Sequence, residues 1–318
     1  MSRAYLYNEE NISQKPAIEV LKNLGYIYIS PEEAERIRGN LYNVLLTDIL
    51  KEKLIELNEY EYKGKVYKFS KKNIDQAIKD LDEPLTDGLV RTSEKIYDTL
   101  MLGRSYEESL PDGSRKSFSL KYIDWENVYN NVFHVIEEFS VEREDGQGNV
   151  RPDIVLFVNG IPLGIIECKR ASIDIRQGIE QMLRNQGKDY IPHLFKYSQI
   201  LMATNKNETK YATCNTPRRF WAVWKEEYED WLQKNLIKAV EDRLPTNQDK
   251  NIISLFHPER ILEITKYFVL YDKNVKKVAR YQQYFAVKEI AKVIEERDEN
   301  GNRKSGVIWH TQGSGKSL

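Results

Sequence analysis

Three charged side chains stand at the ends of a strongly apolar hairpin in the sequence, RPDIVLFVNGIPLGIIECKR at 151–170. Asp153 precedes the first apolar run, and Glu167 and Lys169 end the second. Side chains at i and i+2 of a strand share a face, so Glu167 and Lys169 point the same way while Cys168 points the other way. Two neighbouring carboxylates in a buried place require a cation. These residues therefore predict a cation site at the end of a hydrophobic sheet.

Mg²⁺ is the cation that this set of ligands favours, because it prefers hard oxygen ligands and keeps several of its waters. Asp153 and Glu167 would supply carboxylates and Cys168 its backbone carbonyl, and a retained water could attack a phosphodiester. Lys169 would position or deprotonate that water and stabilise charge on the phosphate. The alternative is purely structural: Asp153 begins a strand after Pro152, and the other two charges form a solvated strand end.

The register of the hairpin decides whether Asp153 reaches the same face. It must oppose an odd-numbered residue near the end of the second strand. A two-residue turn at 159–160 with an unbroken ladder would pair it with Ile166 instead. Pro162 disfavours an unbroken ladder. We therefore expect a three-residue loop or a β-bulge around residues 159–162.

The pair PD at 152–153 and the tripeptide ECK at 167–169 are similar to the PD-(D/E)XK nuclease signature. The resemblance implies that the Asp and Glu bind Mg²⁺ and that the Lys assists hydrolysis. A helix is predicted over 174–190, and its apolar stripe continues to Gln186 and Tyr190, which we expect to face the sheet. These two residues resemble the QxxxY element of the RecB-like branch, which implies a place beside the metal where they orient DNA. The alternative is a capped helix end with a core tyrosine.

A weaker acidic candidate opens the first predicted helix. Glu10 stands where related enzymes often carry a further acidic residue, although a glutamate at a helix start is common. The same helix has an apolar stripe ended by Gly25, and a strand follows at 26–29. The sequence thus predicts a helix running into an early strand of the sheet.

The sequence HTQGSGKS at 310–317 follows an apolar stretch and suits a phosphate-binding loop. Its glycines let backbone N–H groups surround phosphates, Lys316 would reach the outer phosphates of ATP, and Ser317 would ligate Mg²⁺. The strict pattern has glycine where this chain has His310. The loop nevertheless resembles the first motif of superfamily 2 helicases and translocases, which tolerate that departure; the alternative is a glycine-rich turn. The nucleotide-binding residues predicted here are Thr311, Gly313, Ser314, Gly315, Lys316 and Ser317.

The sequence RYQQYFA at 280–286 resembles the glutamine motif that reads adenine in the same superfamily. Gln283 has the better spacing for this role. A helix at 282–297 and a short strand at 306–310 would lead into the phosphate-binding loop. We therefore expect the start of a RecA-like superfamily 2 domain at this end of the chain.

The remaining patterns indicate an α/β fold. Residues 31–125 are charge-rich and helical in pattern, and 131–144 alternate like a strand before a turn at 145–149. Further strands, SQILMATN at 198–205 and RFWAVW at 219–224, would complete a mixed sheet flanked by helices. Composition changes from about residue 226 to charged helix and polar loop. We predict an endonuclease domain over 1–245, then linker helices and the truncated start of the RecA-like ATPase domain over 246–318.

Composition is that of a soluble globular protein. The 318 residues, of which 41% are hydrophobic, can bury a sizeable core. No secretion signal or run of about 18 apolar residues is evident, so we expect no membrane association. The two cysteines, Cys168 and Cys214, lack zinc-ligand spacing, which favours a reducing cytoplasmic compartment. The net charge of −1 argues against strong nonspecific attraction to nucleic acid by this chain alone.

A nuclease hairpin followed by the first motif of a superfamily 2 motor resembles the restriction (R) subunit of type I restriction-modification systems. The likeness extends over essentially the whole chain, including EVLKNLGY, HLFKYSQILMATN and HPERILEITKYFVLYD. The family implies a type I site-specific deoxyribonuclease that cleaves double-stranded DNA with Mg²⁺. It also implies ATP-driven translocation in a complex with modification (M) and specificity (S) subunits, which would carry the sequence recognition.

Two other functions stay open at this point. One is a noncatalytic docking module whose nuclease fold anchors a motor to its complex. The other is a standalone repair nuclease-helicase, which the absence of neighbouring methylase and specificity genes would indicate. The sequence ends at Leu318, before any second acidic motif, so we expect a truncated chain that does not hydrolyse ATP by itself.

Overall fold

The computed structural model describes residues 13–226, 230–241, 243–297, 301–303, 305–307 and 309. Its helices are α1 (Lys15–Asn23), α2 (Pro31–Arg38), α3 (Thr47–Leu57), α4 (Lys71–Leu81), α5 (Leu89–Leu102), α6 (Ile175–Asn185), α7 (Pro192–Phe195), α8 (Asp230–Val240), α9 (Asn247–Phe256), α10 (Pro258–Phe268) and α11 (Tyr281–Glu295). Its strands are β1 (Ile27–Ile29), β2 (Glu59–Tyr62), β3 (Lys65–Lys68), β4 (Arg104–Ser109), β5 (Arg115–Leu120), β6 (Phe133–Glu137), β7 (Val141–Glu142), β8 (Asn149–Val150), β9 (Ile154–Val158), β10 (Ile161–Cys168), β11 (Ile200–Thr204), β12 (Thr209–Ala212), β13 (Val269–Asp272) and β14 (Val275–Val278). Within these residues, no helix is both long and apolar enough to cross a bilayer.

A six-stranded mixed sheet forms the centre of the fold, in the order β1-β6-β9-β10-β11-β12. The β1–β6 and β10–β11 pairs are parallel, and the other neighbours are antiparallel. Every residue of β9, β10 and β11 is buried. Strands covered on both faces need apolar side chains on both faces, which explains why this part of the sequence is continuously apolar.

Helices cover the central strands from both sides. Gly164 of β10 lies against the Phe256 ring of α9, whereas Gly178 of α6 lies against Glu167 of β10. Residues 164 and 167 point to opposite faces of a strand, so α9 and α6 lie on opposite faces of the sheet. The prediction of an α/β fold with a mixed sheet flanked by helices is confirmed.

Two predicted strands have different outcomes. The strand predicted within SQILMATN is confirmed as β11. The strand predicted for RFWAVW is wrong, because Arg218–Phe220 form a 3₁₀ turn and Ala222 makes an isolated bridge to Tyr211. The aromatic residues there anchor a loop, since Trp221 and Trp224 are both buried. The edge strand of the sheet is instead β12, which was not predicted.

The helical pattern predicted for 31–125 is only partly correct. Helices α2 to α5 lie there together with two antiparallel hairpins: β2–β3 lies between α3 and α4, and β4–β5 follows α5. The first hairpin turns at Lys63-Gly64, both with positive φ, as a two-residue turn requires. Tyr60 stacks on Phe118 at 4.1 Å between ring centroids and so joins the two hairpins. Charged residues on the exposed faces of these short strands hid their alternation.

The other predicted elements are mostly found. Strand β1 and helix α11 are confirmed, and the turn at 145–149 joins β7 to β8. The alternating run at 131–144 divides into β6 and β7, because Glu138 adopts a positive φ of 48°. Residues 306, 307 and 309 of the predicted last strand are in no strand.

Helix α9 packs into the core formed by the preceding residues, although it follows the predicted boundary at 245. The Tyr26 hydroxyl donates to the Phe256 carbonyl at 2.7 Å, and Ile252, Ile253 and Phe256 are fully buried. The division of the chain after residue 245 stays a prediction.

Candidate active site

The register of the β9–β10 hairpin decides which residue of β10 lies opposite Asp153. Val158 pairs with Ile161 across a two-residue turn, and the register then shifts between Pro162 and Gly164. Beyond this shift Ile154 pairs with Ile166, which places Asp153 level with Glu167. The predicted β-bulge is confirmed, with Leu163 as the extra residue, whereas the three-residue loop did not form. Without the bulge, Asp153 would face the opposite side of the sheet.

The turn itself is held by its surroundings. Asn159 and Gly160 both have positive φ, at 52° and 81°. A Cβ at Gly160 would lie 2.6 Å from the Leu46 carbonyl oxygen, so only glycine fits. The Asn159 side-chain amide donates to the backbone carbonyl of Tyr122 and to the side-chain oxygen of Asn131. This fixed turn defines where the strand pair begins and hence where its charged end lies.

Asp153, Glu167 and Lys169 meet at that end. The Lys169 ammonium lies 2.7 Å from Oε1 of Glu167, 3.0 Å from the Cys168 carbonyl oxygen and 3.9 Å from Oδ2 of Asp153. The Cys168 backbone N–H donates to the same Asp153 oxygen at 2.6 Å. The structure therefore brings together the three charged residues that the sequence predicts and points the Lys169 ammonium between them.

Burial makes the carboxylate of Glu167 expensive to ionise. Glu167 is 0% exposed, and its Oε2 has no hydrogen-bond donor among the described residues. Burial raises the pKa of Glu167 well above its ordinary value, the Asp153 charge raises it further, and Lys169 acts in the opposite direction. A carboxylate oxygen without a donor in a buried site is suited to accept a cation.

The oxygen atoms around the Lys169 ammonium are the ones that the sequence predicts as metal ligands. Oδ2 of Asp153, Oε1 of Glu167 and the Cys168 carbonyl already surround one positive charge. All are hard oxygen donors, the type that Mg²⁺ prefers. No group of three His, Cys, Asp or Glu side chains able to hold a metal occurs in the part of the chain that the structure describes. The residues present fit a cation held by two carboxylates and one carbonyl.

Helix α6 closes one side of this site. Asp174 caps it by accepting the Arg176 N–H at 2.8 Å. A Cβ on Gly178 would lie 3.4 Å from Cγ of Lys169 and 3.6 Å from Cγ of Glu167. Helix α6 thus lies close enough to the charged residues that a methyl group at position 178 would be in van der Waals contact with them.

The structure corrects the predicted extent of this helix. It ends at Asn185, so Gln186 is its C-cap and Tyr190 lies beyond it. Glycine at 187 is a poor helix former, and the chain turns there. Asn185 is buried in place of Gln186. The prediction that both residues of the QxxxY element pack against the sheet from one helix face is therefore wrong.

Both residues of that element have other contacts. The side chain of Gln186 donates to the Met182 carbonyl and accepts the Asn215 N–H at 2.6 Å. Tyr190 is half-buried, with the Arg143 guanidinium 4.3 Å from its ring centroid and that of Arg184 at 5.8 Å. None of these contacts joins the element to the carboxylates, and its role in orienting DNA stays a prediction.

Sequence reasoning missed a buried glutamine at the start of α1. The Gln14 amide nitrogen lies 3.3 Å from the Asp153 carbonyl oxygen and 3.4 Å from carboxylate oxygens of Glu137 and Glu138. No short motif marks this contact, because it spans more than a hundred positions of the chain. Glu10, the weaker acidic candidate, lies outside the described residues.

Of the predicted nucleotide-binding residues, the structure describes Gln283. Its side-chain oxygen accepts the Arg280 N–H at 2.7 Å at the start of α11. It lines a cavity of about 490 Å³ together with Tyr211 and Phe220. Thr311, Gly313, Ser314, Gly315, Lys316 and Ser317 lie outside the described residues, so the phosphate-binding loop stays a prediction.

Comparison with known families identifies two segments. Residues 6–220 match the family described as "Type I restriction enzyme R protein N terminus", and residues 282–318 match "SWI2/SNF2 ATPase". The charged hairpin lies inside the first segment, and α11 begins the second.

Individual relatives agree with this assignment. The "Type I restriction enzyme HindI endonuclease subunit" of Haemophilus influenzae is 29% identical over 98% of this chain and 29% of its own length. The "Putative type I restriction enzyme MjaIXP endonuclease subunit" of Methanocaldococcus jannaschii is 30% identical over 98% of this chain and 30% of its own length. The chain thus spans less than a third of the length of these relatives. Because the first family match covers more than half of the chain, the chain belongs to the family of type I restriction enzyme R proteins.

Proposed function

We propose that this chain carries the endonuclease site of a type I restriction subunit, with the PD-(D/E)XK type of architecture, and that it cleaves double-stranded DNA with Mg²⁺. The observation that carries the proposal is the wholly buried Glu167 carboxylate beside Asp153 and Lys169, with one oxygen that lacks a donor among the residues that the structure describes. A purely structural strand end would be solvated. Three charges retained inside a hydrophobic sheet need a functional reason, and hydrolysis of a phosphodiester supplies one.

Each residue has a separate task in this proposal. Asp153 and Glu167 would hold Mg²⁺, with the Cys168 carbonyl as a third oxygen. When bound, the ion would polarise the phosphodiester and activate a water. The Lys169 ammonium, which already bridges the carboxylates, would move toward the phosphate and stabilise the charge that develops on it. The Cys168 N–H holds the Asp153 carboxylate in place through its 2.6 Å hydrogen bond.

The wider function follows from the two family segments and the relatives' names. We propose that the full-length protein couples cleavage to ATP-dependent DNA translocation through the segment that begins at α11. It would act in a complex with M and S subunits, which would recognise the DNA sequence. This division of labour is consistent with the net charge of −1, which gives this chain little nonspecific attraction to DNA.

A nicking assay on supercoiled plasmid with Mg²⁺ or Mn²⁺ tests the nuclease proposal. The wild-type chain should nick, and Asp153→Asn, Glu167→Gln and Lys169→Met should each lose at least about a hundredfold in rate, as expected for a lost metal ligand or charge-stabilising group. Glu180→Gln is the matched control: it removes an exposed carboxylate from α6 and should retain the wild-type rate.

The other functions predict different results. A noncatalytic docking module would not nick in the complete complex with M and S subunits, DNA and ATP. A standalone repair nuclease-helicase would differ at the level of the full-length protein with ATP, where it would cleave both DNA strands without either subunit and without a recognition sequence.

A further inference from the structure

Gln248 is a buried polar side chain near the start of α9, beyond the segment that matches the R-protein family. The start of α9 is firmly fixed. Thr246 and Asp249 form a reciprocal capping box, and the Arg243 guanidinium donates to both oxygens of Asp249 at 2.6 and 2.7 Å. Capping and a bidentate charged pair both restrict the helix start. These contacts hold the first turn of α9, which carries Gln248, in a fixed position.

Gln248 joins two chain segments that border the charged hairpin. Its Oε1 accepts the hydroxyls of Ser13 at 2.6 Å and Thr204 at 3.4 Å, and its Nε2 donates to the Ser13 carbonyl at 2.7 Å. Ser13 and Thr204 are fully buried. Loss of Gln248 would leave the Ser13 hydroxyl and carbonyl without these hydrogen bonds in a buried place, which is costly inside a protein. The Thr204 hydroxyl would keep its contacts with the Thr209 hydroxyl and the Glu208 carbonyl.

Both segments contact the charged end of the hairpin. Thr204 pairs with Cys168 in the β10–β11 ladder, and its carbonyl accepts the Lys169 N–H at 2.8 Å. The side-chain amide of Gln14, the residue after Ser13, donates to the Asp153 carbonyl at 3.3 Å. Gln248 is therefore connected to the backbone of Cys168 and Lys169 through Thr204, and to that of Asp153 through the Ser13 segment.

We propose that Gln248 is a positioning residue for the nuclease site: it fixes the backbone of Cys168 and Lys169, so that the Lys169 ammonium stays between Asp153 and Glu167. The inference deepens the nuclease function proposed above and rests on it. It also makes α9 part of the functional nuclease unit. Gln248 lies in the stretch of chain between the two segments that match known families.

The test compares Gln248→Met with Asn251→Met in this chain. Asn251 lies on the same helix and is equally buried. Its side-chain amide, however, donates hydrogen bonds only within the helix, to the backbone carbonyl and the side-chain oxygen of Asn247. Both variants remove one buried amide. Methionine has the length of glutamine and is one atom longer than asparagine, so Asn251→Met disturbs the packing of α9 at least as much as Gln248→Met does. Two quantities are measured where circular dichroism shows each variant folded: amide hydrogen exchange at Lys169 without metal, and plasmid nicking as a function of pH.

Positioning predicts that Gln248→Met speeds exchange at Lys169 by about tenfold relative to Asn251→Met, the factor expected for loss of one buried hydrogen bond. Its kcat for nicking should fall and the pH midpoint of nicking should shift, with the KM for plasmid unchanged. Asn251→Met should lower only the melting temperature. Equal exchange at Lys169 in the two variants would overturn the proposal. If the wild type does not nick, the exchange result still decides the role of Gln248, while the nuclease function alone has failed.

Discussion

The Lys169 ammonium lies 2.7 Å from the Glu167 carboxylate in a place that excludes water from Glu167 entirely. Lysine and glutamate pairs on protein surfaces contribute little to stability, whereas removal of one partner from a buried pair leaves an uncompensated charge. Lys169 also approaches Asp153 at 3.9 Å. One ammonium thus lies near two carboxylates, so these three side chains carry a net charge of about −1 when both carboxylates are ionised.

This excess of negative charge predicts opposite stability effects for the two partners. Glu167→Gln should raise the free energy of unfolding at pH 8 in a chelator by about 1–2 kcal/mol, because it removes the buried charge. Lys169→Met should lower it by about 3 kcal/mol, because two carboxylates lose their cation. Urea unfolding followed by circular dichroism measures both. A destabilised Glu167→Gln would contradict the electrostatic account.

The same pair predicts a pH dependence. The folded pKa of Glu167 is raised above its ordinary value of 4.5, so the folded protein binds this proton more tightly than the unfolded chain. Stability is then fully present below the unfolded pKa and is lost as pH rises toward the folded pKa, by up to about 1.4 kcal/mol per pH unit. Glu167→Gln should lack this decline. Parallel stability curves for variant and wild type from pH 4.5 upward would count against the raised pKa.

His134 predicts acid sensitivity of the opposite sign. Burial lowers its pKa from 6.5 to about 4, so the unfolded chain takes up a proton that the folded protein resists. Stability should fall as pH drops from 6.5 to 4, by about 3 kcal/mol for this residue. In His134→Leu, the slope of the free energy of unfolding against pH should fall in this range by the amount that corresponds to the uptake of one proton. The measurement is urea unfolding across this range, and an unchanged slope would show that His134 titrates normally.

Two glycines of the central layers should respond oppositely to alanine. A Cβ on Gly164 would lie 2.8 Å from Cε1 of Phe256, so Gly164→Ala should destabilise the chain by about 1–3 kcal/mol through overpacking. A Cβ on Gly178 makes only van der Waals contacts, so Gly178→Ala should stabilise α6 by about 0.5–1 kcal/mol. Thermal unfolding checks both. A neutral Gly164→Ala would mean that α9 does not pack on β10 as described.

The QxxxY element should affect DNA binding and leave the proposed metal site intact. The Arg143 guanidinium lies over the Tyr190 ring, and a cation–π contact of this kind is worth on the order of 1 kcal/mol. Tyr190→Ala should therefore raise the KM for plasmid by several-fold, with Mn²⁺ affinity unchanged. Nicking kinetics and calorimetry measure the two quantities. A weaker Mn²⁺ affinity with an unchanged KM would place the tyrosine at the metal instead.

The local part of the site could be predicted from the sequence. The period of two along a strand puts Glu167 and Lys169 on one face, and Pro162 signals the bulge that brings Asp153 to the same level. These inferences need only neighbours in sequence. The bulge position, at Leu163, depends on packing and was one residue beyond the predicted range.

Long-range contacts could not be predicted in this way. Ser13 and Gln248 are separated by 235 positions, and nothing in either local pattern marks their hydrogen bond. Helical periodicity predicted an α6 that is too long, because Gln186 fits the periodic pattern as well as Asn185 does. The β2–β3 hairpin was missed because its exposed faces are charged, although Lys63-Gly64 marks its turn.

The most direct test of the account is a calorimetric titration of this chain with Mn²⁺, alongside Asp153→Asn, Glu167→Gln and the surface control Glu180→Gln. We predict that the wild type and Glu180→Gln bind one ion at a common affinity and that both hairpin variants lose this binding. Equal Mn²⁺ binding by all four proteins, or binding abolished only in Glu180→Gln, would contradict the assignment of Asp153 and Glu167 as the metal-holding carboxylates.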